Sequence, residues 1–176
     1  MKTVLTGNQA IARGFYEAGG LIAASYPGSP TVEIMETLKG YDEIYAEFSP
    51  NEKVALEVAI GGSLYGARAM VSMKHVGVNI AMDPLMTFTQ SPINGGFVLV
   101  TGDDPGMSSS QNEQDNRVIG RLANMGIFYP GSSQEAKEFM KIALELSERF
   151  KTPMMVDITS RVCHSRGIVE LGNRAD

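Results

Sequence analysis

Ala69-Met70-Val71-Ser72-Met73-Lys74-His75-Val76-Gly77-Val78-Asn79 is the stretch on which the fold turns. Its first six residues form a short, mostly apolar run with the length of a buried strand, and Lys74 to Asn79 then break that run with polar residues and a glycine, as a connection does. The same unit recurs outward in both directions. Strands are expected at Leu21–Tyr26, Glu43–Phe48, Ala69–Lys74, Phe97–Thr101, Ile127–Tyr129 and Met154–Ile158, about six in all. Helical periodicity fills the gaps at Thr31–Lys39, Asn51–Tyr65, around Asn79–Thr89, Glu113–Asn124 and Gln134–Arg149. Another helix comes before the first strand: Thr6-Gly7-Asn8-Gln9 fits a capping box, Ile11, Ala12, Phe15 and Ala18 share a face, and Gly19-Gly20 closes it. In the last helix, Ser132 or Ser133 caps a stripe of Phe139, Met140, Ala143, Leu146 and Phe150 that packs on the core. Gly167–Leu171 reads as an edge strand or the start of a connection. Strand and helix alternating in this way predict an α/β fold, three layers (α/β/α) around a mainly parallel sheet. No linker or repeat interrupts it, so residues 1–176 are expected to form a single domain.

Composition removes several functions. The chain has 176 residues, 43% of them hydrophobic, and its 20 acidic against 15 basic side chains give a net charge of −5. A domain of this length buries roughly 70% of the surface of its unfolded chain, enough to fold without disulfides or a structural metal. The single Cys163 excludes an internal disulfide, a Cys-rich zinc site or a four-thiolate cluster, and a reducing cytoplasm is the natural setting. Without a basic run, nucleic acid is not an expected partner. No stretch approaches the ~20 apolar residues that span a bilayer, and Met1–Leu5 gives way to Gly7-Asn8-Gln9 too early for a signal peptide. The 11 methionines read as core filling.

Open parallel sheets bind ligands beyond the carboxyl ends of their strands. Those segments here are Tyr26-Pro27-Gly28-Ser29-Pro30, Ser49-Pro50-Asn51-Glu52, Lys74 to Asn79, Gly102-Asp103-Asp104-Pro105-Gly106-Met107 running on to Gln111-Asn112, and Thr159 to Arg166, and they contain both histidines, His75 and His164. Asp103-Asp104 reads as a turn rather than a magnesium site, since no further ligands follow at a defined spacing. Phosphate loops, dinucleotide fingerprints, nucleophile elbows and zinc-protease motifs are absent from the sequence.

Glu52 supports two readings. Ser49-Pro50-Asn51-Glu52 fits a helix start with Ser49 as cap, Pro50 in the first turn and Glu52 bonding back to the cap amide. The helix that follows, Val54 to Arg68, is rich in Ala and Gly; each interior glycine costs roughly 1 kcal/mol, so a second element is expected to press against it.

Taken together, Asn8-Gln9-Ala10-Ile11-Ala12-Arg13-Gly14, Tyr26-Pro27-Gly28-Ser29-Pro30, Asn51-Glu52-Lys53-Val54-Ala55-Leu56-Glu57, Met73 to Asn79, Asp103-Asp104-Pro105-Gly106 with Ser109 to Arg117, and His164-Ser165-Arg166-Gly167 resemble the N-terminal domain of the indolepyruvate:ferredoxin oxidoreductase α subunits, a branch of the thiamine-diphosphate-dependent 2-oxoacid:ferredoxin oxidoreductases. The resemblance covers nearly the whole chain, and the order of the motifs carries it. It implies a pyrimidine-binding domain of the thiamine diphosphate type, in which Glu52 matches the glutamate that hydrogen-bonds N1′ of the aminopyrimidine. A carboxyl in an apolar pocket favours its neutral form and so can share a proton with that nitrogen, which lets the 4′ nitrogen take the proton of thiazolium C2. Glu57, the rival, is placed on the helix flank.

The resemblance further implies that Pro27, Gly28, Lys74, His75, Gly77 and Asn79 lie beside the cofactor, with Ser29, where the family more often has threonine, and His164 and Arg166 on the substrate side. The implied reaction is oxidative decarboxylation of an arylpyruvate such as indolepyruvate to acyl-CoA and CO2, with ferredoxin reduced. No metal site is expected in this chain, because Gly102-Asp103-Asp104 lacks the third residue of the family's Gly-Asp-Gly and Asn112 and Asn116 follow too soon. Mg2+ and the diphosphate are therefore expected on a separate diphosphate-binding domain or subunit, and iron–sulfur clusters on other segments or partners. The chain alone is expected to be inactive and to work in a homo- or hetero-oligomer. The alternatives are the pyrimidine domain of a non-oxidative 2-oxoacid decarboxylase and a non-catalytic assembly module.

Overall fold

The computed structural model describes residues 1–175. In chain order its elements are β1 (Lys2–Thr6), α1 (Gly7–Glu17), β2 (Ile22–Ser25), α2 (Val32–Leu38), β3 (Tyr45–Phe48), α3 (Glu52–Leu64), β4 (Ala69–Lys74), α4 (His75–Phe88), β5 (Phe97–Asp103), α5 (Asn116–Leu122), β6 (Gly126–Phe128), α6 (Ser133–Phe150), β7 (Met154–Thr159), α7 (Ser160–His164) and β8 (Arg166–Glu170). Six strands build one sheet in the order β3-β2-β4-β5-β7-β6, and every pair in it is parallel.

Alternation along each strand produces the three expected layers. Met70, Val98, Val100, Val156 and Ile158 point into a core shared with α1, α2 and α6, where Ile11, Phe15, Ile34, Met35 and Met140 are fully buried. Val71, Met73, Phe97, Leu99 and Met155 point the other way, onto Leu56 and Ala59 of α3 and Val78 and Leu85 of α4. A strand buried on both faces reads as a continuous apolar run, which is why β4 and β5 were legible. The methionines of these strands are core residues, as expected.

Three features depart from the sequence reading. β1 is a strand, paired antiparallel with β8 to form a separate ribbon; it has no face fully covered by the core, so its periodicity is weak. Residues Ser160–His164, read as loop, make a single helical turn because the Thr159 hydroxyl caps it and Val162 and Cys163 are buried. Lys74 to Asn79, also read as loop, belongs to α4 from His75 onward, with Lys74 as the residue before the helix. In the remaining elements the differences are confined to the ends, the largest at α5, which starts at Asn116 because the Asp115 carboxylate accepts from the Arg117 N–H.

The strand order places the site. From β2 the chain crosses to β3 on one side and then returns to β4 on the other, which makes the carboxyl ends of β2 and β4 the switch point at which such sheets bind ligands. Tyr26 to Pro30 and the start of α4 follow those two strands, and Glu52 follows the neighbouring β3. Among the described residues no helix is long and apolar enough to cross a membrane.

Candidate functional site

Glu52 is the first residue of α3 and is half-buried. The cap is Asn51: its backbone is extended and its side-chain oxygen accepts from the Val54 N–H at 2.9 Å. This corrects the expected capping box. Ser49 donates instead to Glu47 at 2.7 Å, so the Glu52 carboxylate is not used to cap the helix, and among the described residues it has no hydrogen-bond or ion-pair partner.

Gly77 in the first turns of α4 lies flush against it. A Cβ at position 77 would stand 2.6 Å from Glu52 Cγ and 2.7 Å from Oε1. Elsewhere on α3 the small residues serve packing on the sheet: Ala55 and Ala59 are buried in the core, and a Cβ on Gly62 would stand 2.6 Å from Ile22 Cδ1 of β2. Gly61 has open space around it, so the expected pressure acts on only one of the two adjacent glycines. Outside the helix Lys53 pairs with Asp83 of α4 at 2.9 Å, and Glu57 is exposed on the flank as expected.

Lys74, His75 and Asn79 bond to the segment between β5 and α5. Lys74 Nζ donates to the Ser109 carbonyl at 2.7 Å. His75 is fully buried, with Nε2 at 3.2 Å from the Asn112 carbonyl and 3.1 Å from its side-chain oxygen. The Asn79 and Gln114 side-chain amides exchange two hydrogen bonds, both 2.9 Å. The segment is tied at its start by Asp104, whose carboxylate accepts from the Ser110 hydroxyl at 2.6 Å and the Ser109 N–H at 2.8 Å; these bonds hold its pKa below the usual carboxylate range. Sequence reading picked out these residues one by one but missed that they form a lid of polar loop laid over the start of α4.

Pro27 and Ser29 are exposed on the loop after β2, and Gly28 packs across β4, where a Cβ would stand 3.1 Å from that of Lys74. His164 and Arg166 lie elsewhere. They line a groove of about 450 Å3 with Thr6, Gln9, Glu33, Glu36 and Thr37, and Glu52 is not part of that lining. Glu33 ties this groove to the loop after β2 through the fully buried Asn8, whose amide nitrogen donates to the Pro30 carbonyl at 2.8 Å and to Glu33 at 2.6 Å; His164 Nδ1 is 3.4 Å from the same Glu33 oxygen.

One group escaped the sequence reading. Asp157 in β7 is fully buried, and oxygens of Asp103, Asp115 and Asp157 lie within 4.8 Å of one another. Arg117 holds both oxygens of Asp115, at 2.9 and 2.8 Å. An aspartate inside the apolar run Met154-Met155-Val156-Asp157-Ile158 was the available signal.

Residues 13–176 match the family model described as "Pyruvate flavodoxin/ferredoxin oxidoreductase, thiamine diP-bdg". Among curated proteins, 97% of the chain aligns with the indolepyruvate oxidoreductase subunit IorA of Archaeoglobus fulgidus at 53% identity and with that of Pyrococcus horikoshii at 48%, over 29% and 27% of those proteins. The chain thus spans under a third of the length of these relatives. Among solved structures, a 2-oxoglutarate:ferredoxin oxidoreductase from Magnetococcus marinus, with 2-oxoglutarate, coenzyme A and succinyl-CoA bound, superposes on 98% of the chain with a TM-score of 0.82, over 33% of that protein. At 16% identity this is a likeness of fold.

Proposed function

The chain belongs to the pyruvate flavodoxin/ferredoxin oxidoreductase thiamine-diphosphate-binding family, and from that premise we propose that it forms the pyrimidine-binding half of a thiamine diphosphate site, with Glu52 as the carboxyl that hydrogen-bonds the aminopyrimidine. One observation carries the reading. Glu52 heads a helix capped by its neighbour, so a half-buried carboxylate is left without a protein partner and is backed by a glycine that leaves it room. The donor set fits the pyrimidine end of the cofactor: a lone carboxyl oxygen beside a face stripped of Cβ accepts or shares a proton with a flat heterocycle.

When bound, the cofactor supplies an acidic thiazolium carbon whose conjugate base adds to the carbonyl of a 2-oxoacid. The part assigned to this chain is narrower. Glu52 exchanges a proton with the ring nitrogen; Gly77 and Gly28 allow close approach; Pro27 shapes the rim; Lys74, His75 and Asn79 brace the wall through their bonds to the Ser109–Gln114 segment. Ser29 is assigned to the substrate side because its hydroxyl is exposed on the loop bordering the switch point. His164 and Arg166 flank the adjoining groove and are a second, more distant substrate contact in this proposal.

The residues do not fit the diphosphate end. The chain has no Gly-Asp-Gly, and its one thiol is buried. Mg2+, the diphosphate and any iron–sulfur cluster are accordingly assigned to a diphosphate-binding domain or subunit and to other partners. The names of the relatives support indolepyruvate as substrate, and the family description supports a flavodoxin or ferredoxin as electron acceptor; other arylpyruvates as substrates and CoA as acyl acceptor of the assembled enzyme are carried over from the family resemblance. Calorimetry tests the division. Thiamine diphosphate with Mg2+ is expected to bind tightly only when the partner segment is added, and micromolar, magnesium-dependent binding to residues 1–176 alone would refute it.

A further inference from the structure

We propose that Asp157 and Asp103 share a single proton, and that the resulting pair positions Asn116 and, through it, the first turn of α4. The two side chains project from adjacent parallel strands on the same side of the sheet: Asp157 is level with Thr101, and Asp103 lies two residues further along β5. Asp157 is fully buried, and neither of its oxygens has a hydrogen-bond donor; Asp103 Oδ1 has none either. Three buried oxygens without a donor make a costly arrangement unless a proton lies between them.

The surroundings exclude a simpler neutralisation. The guanidinium of Arg117 on α5 acts on both carboxyls, but its fork is engaged by Asp115. The other titratable groups around the pair are His75 from α4, Tyr129 after β6 and Cys163 from α7, and the further charges of Asp115 and of Glu113, which lines the same pocket as Asp103, are both negative. Burial first, and then the neighbouring Asp103, push the Asp157 carboxyl up to about 8; burial also raises Asp103, against the bond it accepts from Asn116. Like charges this close do not both ionise. With the proton on Asp157, its hydroxyl donates to Asp103 Oδ1, and Asp103 stays an acceptor.

Asp103 Oδ2 accepts from the backbone N–H of Asn116 at 3.1 Å. The Asn116 amide then donates to the Thr101 hydroxyl at 2.6 Å and to the His75 carbonyl at 3.1 Å. His75 opens α4, and Gly77, two residues later, is the surface that backs Glu52. Asp157 is therefore a positioning residue for the Glu52 wall. The link to Glu52 rests on the cofactor reading above; the shared proton does not.

The sign of the pH dependence follows. A carboxyl raised in the folded state binds a proton that the unfolded chain has already lost, so its contribution to stability is full below the usual aspartate range and falls away as pH rises towards 8. Carboxyl-carbon NMR of the whole 176-residue chain is the direct test. One Asp resonance is expected to titrate near pH 8, to disappear in Asp157→Asn, and to be matched by a protonated-carboxyl band in the infrared at pH 7. Amide exchange at Gly77 and Val78, corrected for its intrinsic pH dependence, should rise through the same step in the wild type and stay flat in Asp157→Asn, whose amide still donates to Asp103. Every Asp titrating below pH 6 in the wild type overturns the proposal without any variant needing to fold. So does a divalent cation, Mg2+ or Ca2+, that raises the melting temperature of the wild type and removes the infrared band, because the oxygens would then hold a metal and not a proton. Failure of Glu52 in cofactor binding, with the Asp titration intact, would sink the cofactor reading and leave the shared proton standing.

Discussion

Gly77 and Glu52 are in such close contact that a methyl group on the glycine would stand 2.7 Å from the glutamate Oε1 and 2.6 Å from its Cγ. No other residue type fits there without moving the carboxylate. Gly77→Ala is expected to cost about 1–3 kcal/mol by overpacking and to weaken thiamine diphosphate binding by the assembled enzyme at least ~10-fold, the scale of 1.4 kcal/mol. In a Glu52→Ala background the stability cost should vanish, since the atoms struck are gone; a double-mutant cycle by chemical denaturation checks this.

Helix α3 is held at its start by Asn51 and not by Ser49. Asn51→Ala is expected to lower stability by about 1 kcal/mol, while Ser49→Ala, which removes only a bond to the Glu47 side chain, changes it by less. Urea midpoints of the two variants measured together decide between the caps.

Glu17 anchors the segment after β8 from inside the fold. Its side chain is fully buried and accepts from Arg13 at 2.9 Å, from the Gly172 N–H at 2.6 Å and from Lys137 and Lys141 at 3.1 Å each. Burial opposes its charge, but these donors outweigh burial and hold the carboxyl down at about 2. Because the folded pKa is the lower one, this stabilisation is present at neutral pH and is lost as pH falls from the usual glutamate range towards 2. Glu17→Gln should destabilise the chain at pH 7 by about 3 kcal/mol, the low end of the cost of leaving a buried charge unpaired, because only Lys137 of its three cations is buried, and its stability should fall less steeply on acidification.

Cys163 is fully buried, and burial pushes its thiol far above the usual range. Iodoacetamide is expected to leave it unmodified in the native protein and to react at the rate of global unfolding when denaturant is titrated in. Fast labelling of the folded chain would show that α7 opens independently.

What was legible in the sequence follows the physics of burial. β4, β5 and β7 are covered on both faces and read as apolar runs; the Thr6–Gln9 capping box of α1 is local and forms as written. In α6 the helix was legible but its buried face only in part: Met140 and Ala143 of the expected stripe are buried, Phe139 and Leu146 are half-buried and Phe150 is exposed, while Ala136 and Leu144 complete the face on the core. β1 was not legible because its strand partner among the described residues, β8, lies 160 to 168 positions away and its faces are half-exposed. The boundary at His75 was missed because a polar residue in an α4 start looks like the end of a strand, and its burial depends on Asn112, 37 residues on. Glu52 was singled out through motif order, whereas its freedom from capping needed the backbone of Asn51. Asp157 stood in plain view within an apolar strand, but its pairing with Asp103 depends on which strands are neighbours.

The central claim is that Glu52 delivers the proton exchange on which the cofactor depends. In the enzyme assembled with its diphosphate-binding partner, the rate of hydrogen–deuterium exchange at C2 of bound thiamine diphosphate, followed by NMR, tests it most directly. Glu52→Gln is expected to slow that exchange by about 100-fold or more, the scale of a lost general acid–base, with the far-ultraviolet circular dichroism and melting temperature of the chain unchanged. Near-normal exchange in the variant, with the cofactor bound, would contradict the assignment.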